Sequence, residues 1–301
     1  MKIGAYKISD FYKKWCEFWF APQDLLTISM VRFFVFTLMF ILYIERQINI
    51  ETYYFDGGFV PLRHVQDLAF SYFKDRIWYY PASDTWSFYL HLSFLGLLLL
   101  IALGVGGRKI TWAALLLHVS FLQRNLAINY GVDLYNTFWL FYFSFIQSDQ
   151  QLSILNKFRK VTPIVYSDML TSMGIRLMQI QLVVAYVYAG IEKLKGGTWW
   201  SGVALWQVMA NQQITPYDFG FLKYFPLVVV GITYMTLIYE IYSPVGFFSS
   251  KFRPIFVVGG ILFHFVIALT MGIYFFGFIL AASLLVFVSP DWFRKVMKRP
   301  L

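Results

Sequence analysis

Long apolar runs separated by short polar segments fill most of the chain. Runs of about 20 residues with almost no charge are typical of helices that cross a membrane. Apolar and polar residues do not alternate at 94–105, as they would in a membrane β-barrel. The pattern predicts helices at 25–44, 86–106, 110–128, 134–147, 175–194 and 226–248, and two more where the run 255–288 divides at Met271 and Gly272. We therefore predict an all-α fold, a polytopic transmembrane helical bundle of about eight spanning helices.

An aromatic stripe precedes the first apolar run. Phe11, Trp15, Phe18 and Trp19 recur at helical spacing between charged residues. Such a stripe is typical of a helix that lies in the headgroup region, and a plain amphipathic packing helix is the alternative. The first apolar run begins near Leu25 and is long enough to stay as an anchor, so no cleavable signal is expected.

Composition and charge set the environment and the orientation. The chain is 59% hydrophobic and only 14% charged, whereas a soluble domain is about 25% charged. Its net charge of +9 follows from topology, because the predicted loops on the N-terminal side carry 16 Lys and Arg and those on the other side carry 8. We expect a lipid bilayer and not nucleic acid as the partner. The predicted organisation is a cytoplasmic interfacial segment at 1–24, a transmembrane domain at 25–290 and a basic cytoplasmic tail at 291–301.

Three polar residues interrupt the apolar helices. Arg32, Glu240 and His264 each lie roughly 12–15 Å from the predicted inner surface. Charged groups in hydrocarbon are costly and normally face the interior of a bundle. We hypothesise an ion pair between Arg32 and Glu240 with His264 beside it, either as a structural contact between helices or as a proton or quinone site. His118, at similar depth, is expected to be a satisfied core histidine.

A second polar set lies at the predicted outer surface. Lys193 ends the fifth helix and is followed by Trp199 and Trp200. A lysine there either extends its charge to the headgroups or, in a dry aromatic pocket, acts as a base. Asp133, which opens the fourth helix, either steadies that lysine or caps its own helix. The chain has none of the common soluble-enzyme motifs, namely a Walker loop, GxGxxG after a strand, HExxH or GxSxG, and we predict no metal site.

The residues around Lys193 carry a resemblance to a known family. The segment at 188–194 reads YAGIEKL and is followed by Trp199 and Gly202, which resembles the signature of the HTTM family. This is the membrane domain shared with vitamin K-dependent γ-glutamyl carboxylase. Arg32 in the first helix, the Asp56-Gly57 loop and the turn at 129–133 also resemble family elements, and Glu240 and His264 match its later polar positions. The likeness covers most of residues 25–290.

The resemblance implies a role for each of these residues. In the carboxylase the lysine of this segment is the base that deprotonates vitamin K hydroquinone, which would make Lys193 catalytic together with Asp133, Glu240 and His264. A quinone or hydroquinone cofactor would be held by Arg32, Tyr188, Trp199 and Trp200. The carboxylase's histidine partner falls near Asp133, where this chain has no histidine. The chain also lacks the large soluble region of the carboxylase, so glutamate carboxylation is not expected.

Three functions compete at this point. The first is a quinone-linked membrane catalyst that acts on a peptide or lipid at the outer face. The second is a non-catalytic maturation or export factor for a small secreted peptide, as implied by a resemblance to short bacterial members of the sporulation-delaying protein B type. That resemblance also implies a bacterial plasma membrane, and the count of Lys and Arg with an even number of helices predicts that both termini are cytoplasmic. A transporter is a weaker third, because the sequence has no inverted repeat.

Overall fold

The computed structural model describes residues 8–68, 83–157, 165–213 and 215–297. The first seven residues of the predicted interfacial segment and the last four of the predicted basic tail lie outside that part. So do eight of the basic residues counted for the orientation, namely Lys2, Lys7, Lys74, Arg76, Arg159, Lys160, Lys298 and Arg299. The described residues form helices and loops, with one isolated bridge between Asp24 and Tyr166.

The all-α prediction is confirmed for the described residues. The helices are α1 Ile8–Phe20, α2 Leu25–Ile48, α3 Ile50–Tyr54, α4 Leu62–Leu68, α5 Asp84–Ala102, α6 Gly107–Arg124, α7 Gly131–Phe143, α8 Met169–Leu194, α9 Gly197–Trp200, α10 Ala204–Met209, α11 Pro226–Phe248, α12 Arg253–Met271, α13 Tyr274–Ser283 and α14 Pro290–Val296. Short 3-10 segments follow several of them. The chain divides into two compact units, Met1–Leu177 and Met178–Leu301, and the boundary falls inside α8.

The number of spanning helices is not confirmed at eight. In the described part of the chain, α2, α5, α8, α11 and α12 are long and apolar enough to cross a membrane, and a sixth span is possible if the bent pair of Tyr274–Phe287 and Pro290–Val296 counts as one. α7 has 13 residues and is therefore only about 20 Å long, against a hydrocarbon thickness of about 30 Å. α6 carries Arg108 and Lys109 in its first turn and ends with Arg124, which lowers its apolar character.

In the N-terminal unit, α2 supplies most of the core. Asp24 starts this helix, because its side chain accepts a hydrogen bond of 2.9 Å from the Leu26 amide. Val31, Val35 and Met39 recur at helical spacing and are fully buried. α2 packs on α5, α5 on α6 and α6 on α7, so polar groups on the inner faces of these helices are brought together.

In the C-terminal unit, α12 and α13 form a tight hairpin. Gly272 ends α12 in the left-handed conformation (φ 69°), which confirms the predicted division at Met271 and Gly272. Gly277 lets the two helices approach closely, since a Cβ atom there would lie 2.6 Å from the Ala268 Cβ and closer still to the His264 carbonyl oxygen. The close approach fixes the part of α12 that carries His264.

Gly277→Ala is expected to lower the free energy of unfolding by about 1–3 kcal/mol, because the methyl group meets backbone atoms that have little room to move. Gly231→Ala in α11 is the matched control, because a Cβ at that position meets nothing within 4 Å. Chemical unfolding in detergent micelles, followed by circular dichroism, measures both. Equal stability of the two variants would contradict this packing.

Candidate functional site

Lys193 near the end of α8 forms an ion pair with Glu240 in the middle of α11. The Lys193 Nζ lies 2.8 Å from the Glu240 Oε1. The Glu240 side chain is only 4% exposed and that of Lys193 is 24% exposed. The two helices run in opposite directions here, since Tyr186 meets Phe247 and Gly190 meets Glu240. Side chains lean toward the N-terminus of their own helix, so Lys193 and Glu240 lean toward each other.

The pair lies well inside the length of α11. At 1.5 Å per residue, Glu240 is about 21 Å from the first residue of that helix, Pro226. Gly190 allows the close approach, because a Cβ there would lie 3.2 Å from the Glu240 Cβ and 2.8 Å from the Ile241 Cδ1. The lysine is therefore held in a partly buried ion pair, and the alternative that it merely extends to the headgroups is not what the structure shows.

Aromatic residues that follow α8 close the end of this helix. The Trp199 ring lies under the Lys193 ammonium, with its centroid 5.4 Å from Nζ. The Trp200 indole donates to the Leu194 carbonyl at 2.7 Å, and the Tyr234 hydroxyl donates to the Trp200 carbonyl at 2.6 Å. These bonds satisfy backbone groups that a helix end leaves open and hold the tryptophans in place.

The residues predicted to hold a cofactor differ in position. Trp199 is half-buried against Lys193, whereas Trp200 and Tyr188 are 61% and 65% exposed. Tyr188 comes two residues before Gly190, so it lies on a different face of α8 from the one that meets Glu240. Their role as cofactor ligands stays a prediction.

His264 is joined to the same face of α8. Its Nε2 lies 2.6 Å from the Tyr186 hydroxyl, and its buried Nδ1 has no hydrogen-bond partner among the described residues. Tyr186, Gly190 and Lys193 are spaced by four and three residues and therefore share one face of the helix. Glu240 and His264 therefore both contact the face of α8 that carries Lys193.

The hypothesised ion pair between Arg32 and Glu240 is wrong, because each residue has a different partner. The Arg32 guanidinium donates to the carbonyl oxygens of Ser148, Gln151 and Leu152, the last at 2.6 Å. Leu152 has a positive φ of 49°, and this unusual turn directs its carbonyl toward the arginine. Carbonyl oxygens of the segment after α7 hold the guanidinium, and the nearby charge of Asp149 in that segment, not that of Glu240, favours it.

Asp133 caps its own helix, which was one of the two alternatives for it. Its carboxylate accepts from the Tyr130 amide at 3.1 Å, which closes the first turn of α7. The other contacts are an ion pair with Arg46 at 2.9 Å and a hydrogen bond of 3.2 Å from the Tyr43 hydroxyl. The cation that Asp133 neutralises is therefore Arg46.

A family model for the HTTM domain matches residues 20–292. The chain belongs to the HTTM family. The match includes every residue placed above, from Arg32 in α2 to His264 in α12. It confirms the family resemblance carried by the segment that contains Lys193, and the apolar helices make this HTTM protein a membrane protein in a lipid bilayer.

A curated relative is also similar to this HTTM protein. Sporulation-delaying protein SdpB of Bacillus subtilis (strain 168) is 28% identical over 119 residues. That segment covers 38% of the chain and 37% of SdpB, so the match spans little more than a third of the relative's length. No solved structure matches the chain significantly.

Sequence reasoning missed a polar network in the N-terminal unit of this HTTM protein. The Tyr43 hydroxyl lies 2.8 Å from the His118 Nδ1, and the His118 Nε2 lies 2.9 Å from the Thr137 hydroxyl. His118 is thus a satisfied core histidine, as predicted. The predicted end of the first helix at 44 puts Arg46 in a loop. The spacing of Tyr43 and Arg46, three residues apart, was the signal that both face the same core.

Proposed function

We propose that this HTTM protein is a membrane-embedded acid–base catalyst in the maturation of a small secreted peptide, with Lys193 as the base. The observation that carries the proposal is the state of the Glu240 carboxylate. It is buried, one oxygen holds the Lys193 ammonium, and the other oxygen, Oε2, has no hydrogen-bond partner among the described residues. A purely structural ion pair has no need of an unsatisfied carboxylate oxygen, since such an atom is costly to bury.

The pair can exchange a proton within itself. For Lys193 to act as a base, its ammonium must first pass a proton to the Glu240 carboxylate that it contacts. The proton passes along the hydrogen bond from Nζ to Oε1, and rotation of the carboxyl group then places it on Oε2, so that the other oxygen accepts from Lys193 again. The Lys193 Nζ then has a lone pair and can take a proton from a hydroxyl group placed beside it.

A hydroquinone of the kind implied by the family fits these residues. When bound, it would supply an acidic phenolic hydroxyl and a ring that can be oxidised. Lys193 and Glu240 would receive the hydroxyl, and the Trp199 ring, which already contacts the ammonium, would form an apolar wall. The resulting positive charge on Lys193 would stabilise the negative charge left on the ligand.

The peptide and the location are parts of the same proposal. The similarity to SdpB supports a role beside a secreted bacterial peptide. We place the protein in the bacterial plasma membrane with both termini cytoplasmic, on the excess of Lys and Arg in the predicted loops of that side.

Lys193→Arg is the decisive variant, because arginine keeps the charge and the ion pair but cannot be deprotonated in a protein. We expect the wild-type protein, in oxygen-free lipid nanodiscs, to bind a water-soluble naphthohydroquinone, and the bound ligand to quench the tryptophan fluorescence of the protein. The absorbance of the deprotonated ligand should appear together with this quenching. Lys193→Arg should bind the ligand but form the deprotonated species at least about 100-fold more slowly.

Lys195→Arg is the matched control, because Lys195 is exposed and pairs with Glu192 rather than with Glu240. It should behave as the wild type does. Binding without deprotonation in the wild type, no binding at all, or an unchanged rate in Lys193→Arg would each overturn the assignment of Lys193 as the base.

A non-catalytic maturation factor is the second candidate, and the aromatic surface of 217–225 favours it. Tyr217, Phe221, Tyr224 and Phe225 are each more than half exposed and are close in sequence. Such a surface suits an apolar peptide. In that case Lys193→Arg should leave peptide maturation in cells intact, whereas replacing Phe221 and Tyr224 by serine should abolish it.

A further inference from the structure

The C-terminal unit contains an apolar groove that the proposed function does not use. Its volume is about 390 Å³, within the range of about 300–1,000 Å³ that is usual for pockets that bind small ligands. α12 contributes Val257 and Ile261 to its lining, and the segment 285–292 contributes Leu285, Val288 and Trp292. These side chains are apolar, so the groove suits a hydrocarbon chain.

A cation lies at the end of the groove where α12 begins. Arg253 is the first residue of α12 and is the charged residue among those described that line the groove. Arg253, Val257 and Ile261 are spaced by four residues and therefore share one face of the helix. At 1.5 Å per residue, this face extends about 12 Å from the arginine to Ile261. The groove is thus amphiphilic along its length, with a charged end and an apolar remainder.

The Arg253 guanidinium keeps unused hydrogen-bond donors. Its Nε donates to the Phe247 carbonyl at 2.9 Å, and its Nη2 donates to the Phe248 carbonyl at 3.3 Å. These bonds cover the last carbonyls of α11 and hold the guanidinium in place. A guanidinium has five N–H groups, so the other three can bind a ligand at the end of the groove.

The charge at this end of the groove is not balanced by a carboxylate. Neither Arg253 nor Lys251, two residues before it, forms an ion pair with another described residue. Asp291 in α14 pairs with Arg294 instead, at 3.3 Å. The one acidic side chain outside the described residues is Asp75, which belongs to the N-terminal unit. The charge of this end is therefore complementary to an anion.

We propose that the groove binds an anionic phospholipid, with an acyl chain along α12 and the phosphate at Arg253. The phosphate accepts from the unused guanidinium donors, and charge-assisted bonds of this kind are strong. Ser250 and Ser289 also line the groove and add hydroxyl donors. The predicted orientation puts the start of α12 on the cytoplasmic side, where basic pockets between helices bind anionic headgroups. The site does not depend on the proposed function.

Native mass spectrometry of the full chain in detergent measures the preference between two lipids. Phosphatidylglycerol and phosphatidylcholine with the same acyl chains are supplied in equal amounts, because they differ in net charge but not in apolar length. We expect the wild type to bind phosphatidylglycerol over phosphatidylcholine by a ratio of at least about five. Arg253→Gln should lower this ratio to about two or less, whereas Arg253→Lys, which keeps the charge, should retain most of it.

Further variants test the charge and the chain separately, and circular dichroism in the same detergent shows that each is folded. Lys251→Gln breaks no hydrogen bond to α11 and should also lower the ratio, so the charge can be tested even if Arg253→Gln does not fold. Val258→Phe narrows the groove and should remove the selective binding. Val266→Phe is its matched control, because Val258 and Val266 are 58% and 54% exposed on the same helix, but of the two only Val258 lines the groove.

Equal binding of the two lipids by the wild type would overturn the proposal and would leave the groove to a neutral chain or to an apolar segment of another protein. An unchanged ratio in Arg253→Gln, in Lys251→Gln or in Val258→Phe would overturn it as well.

Discussion

Replacing Lys193 by Met, or Glu240 by Leu, is expected to destabilise the protein by about 3 kcal/mol, because each change leaves a buried charge without its partner. The value lies at the lower end for buried pairs, since the Lys193 side chain is 24% exposed and can shift toward solvent. The double variant Lys193→Met/Glu240→Leu should regain most of that loss, because neither charge remains and the apolar side chains fit a helix interface. Chemical unfolding of all four proteins gives the coupling free energy.

The neighbouring pair of Glu192 and Lys195 is the matched control. It is also an ion pair of a Glu and a Lys, at 2.6 Å, but the side chains are 43% and 65% exposed. The same apolar substitutions there should cause no resolvable change, since solvent already stabilises both charges. A coupling free energy at Lys193 and Glu240 no larger than that of the control would mean that the pair contributes nothing to folding.

The same double variant separates folding from function. If the proposed acid–base role is correct, the variant is folded and inactive toward the naphthohydroquinone. A structural pair alone predicts a folded and active double variant. The two readings of one buried pair thus differ in a single protein that can be purified and measured.

The apolar pattern predicted the helix bounds well where a helix begins at a proline or ends at a glycine. α11 begins at Pro226, which suits the first turn of a helix, and its predicted bounds are those observed. Gly272 marks the division of α12 from α13 for a similar reason. Where polar residues continue a helix, the pattern failed: α2 runs on through Glu45 and Arg46 to Ile48, beyond the predicted end at 44.

The partners of the charged residues were harder to predict than the helices. Depth along a helix was estimated from each helix end, which assumes that all helices start at the same level. Lys193 lies at the end of α8 and Glu240 in the middle of α11, so under that assumption the two residues have different predicted depths and no contact between them is expected. Arg32 was misassigned for another reason, because its acceptors are backbone carbonyls, and every residue type has a carbonyl.

Asp133 is the residue whose loss is expected to destabilise the N-terminal unit most. Asp133→Leu removes the partner of Arg46, whose side chain is only 4% exposed, and also breaks the cap on the Tyr130 amide and the bond from Tyr43. We expect a loss of about 3–5 kcal/mol, from the uncompensated charge and the open helix end together. Chemical unfolding in micelles, with urea or detergent as denaturant, measures it.

Asp133→Asn separates the two causes, because an amide oxygen can still accept from Tyr130 and Tyr43 but carries no charge. If the uncompensated charge of Arg46 causes most of the destabilisation, Asp133→Asn lowers the stability nearly as much as Asp133→Leu does. If the open helix end causes most of it, Asp133→Asn lowers the stability by about 1 kcal/mol or less.

The exposed pair of Arg108 and Asp168 is the control, at 2.7 Å with side chains 29% and 46% exposed. Partial burial raises the pKa of Asp168, but hydrogen bonds from Arg108 and Thr171 lower it more, and the net shift is downward. A lowered carboxyl pKa in the folded state stabilises the protein above the ordinary pKa of about 4, and this stabilisation is lost as the pH falls further. Asp168→Asn should therefore cost at most about 1 kcal/mol at neutral pH and nothing in acid. An equal loss for Asp133→Leu and Asp168→Asn at pH 7 would show that burial does not decide the strength of these pairs.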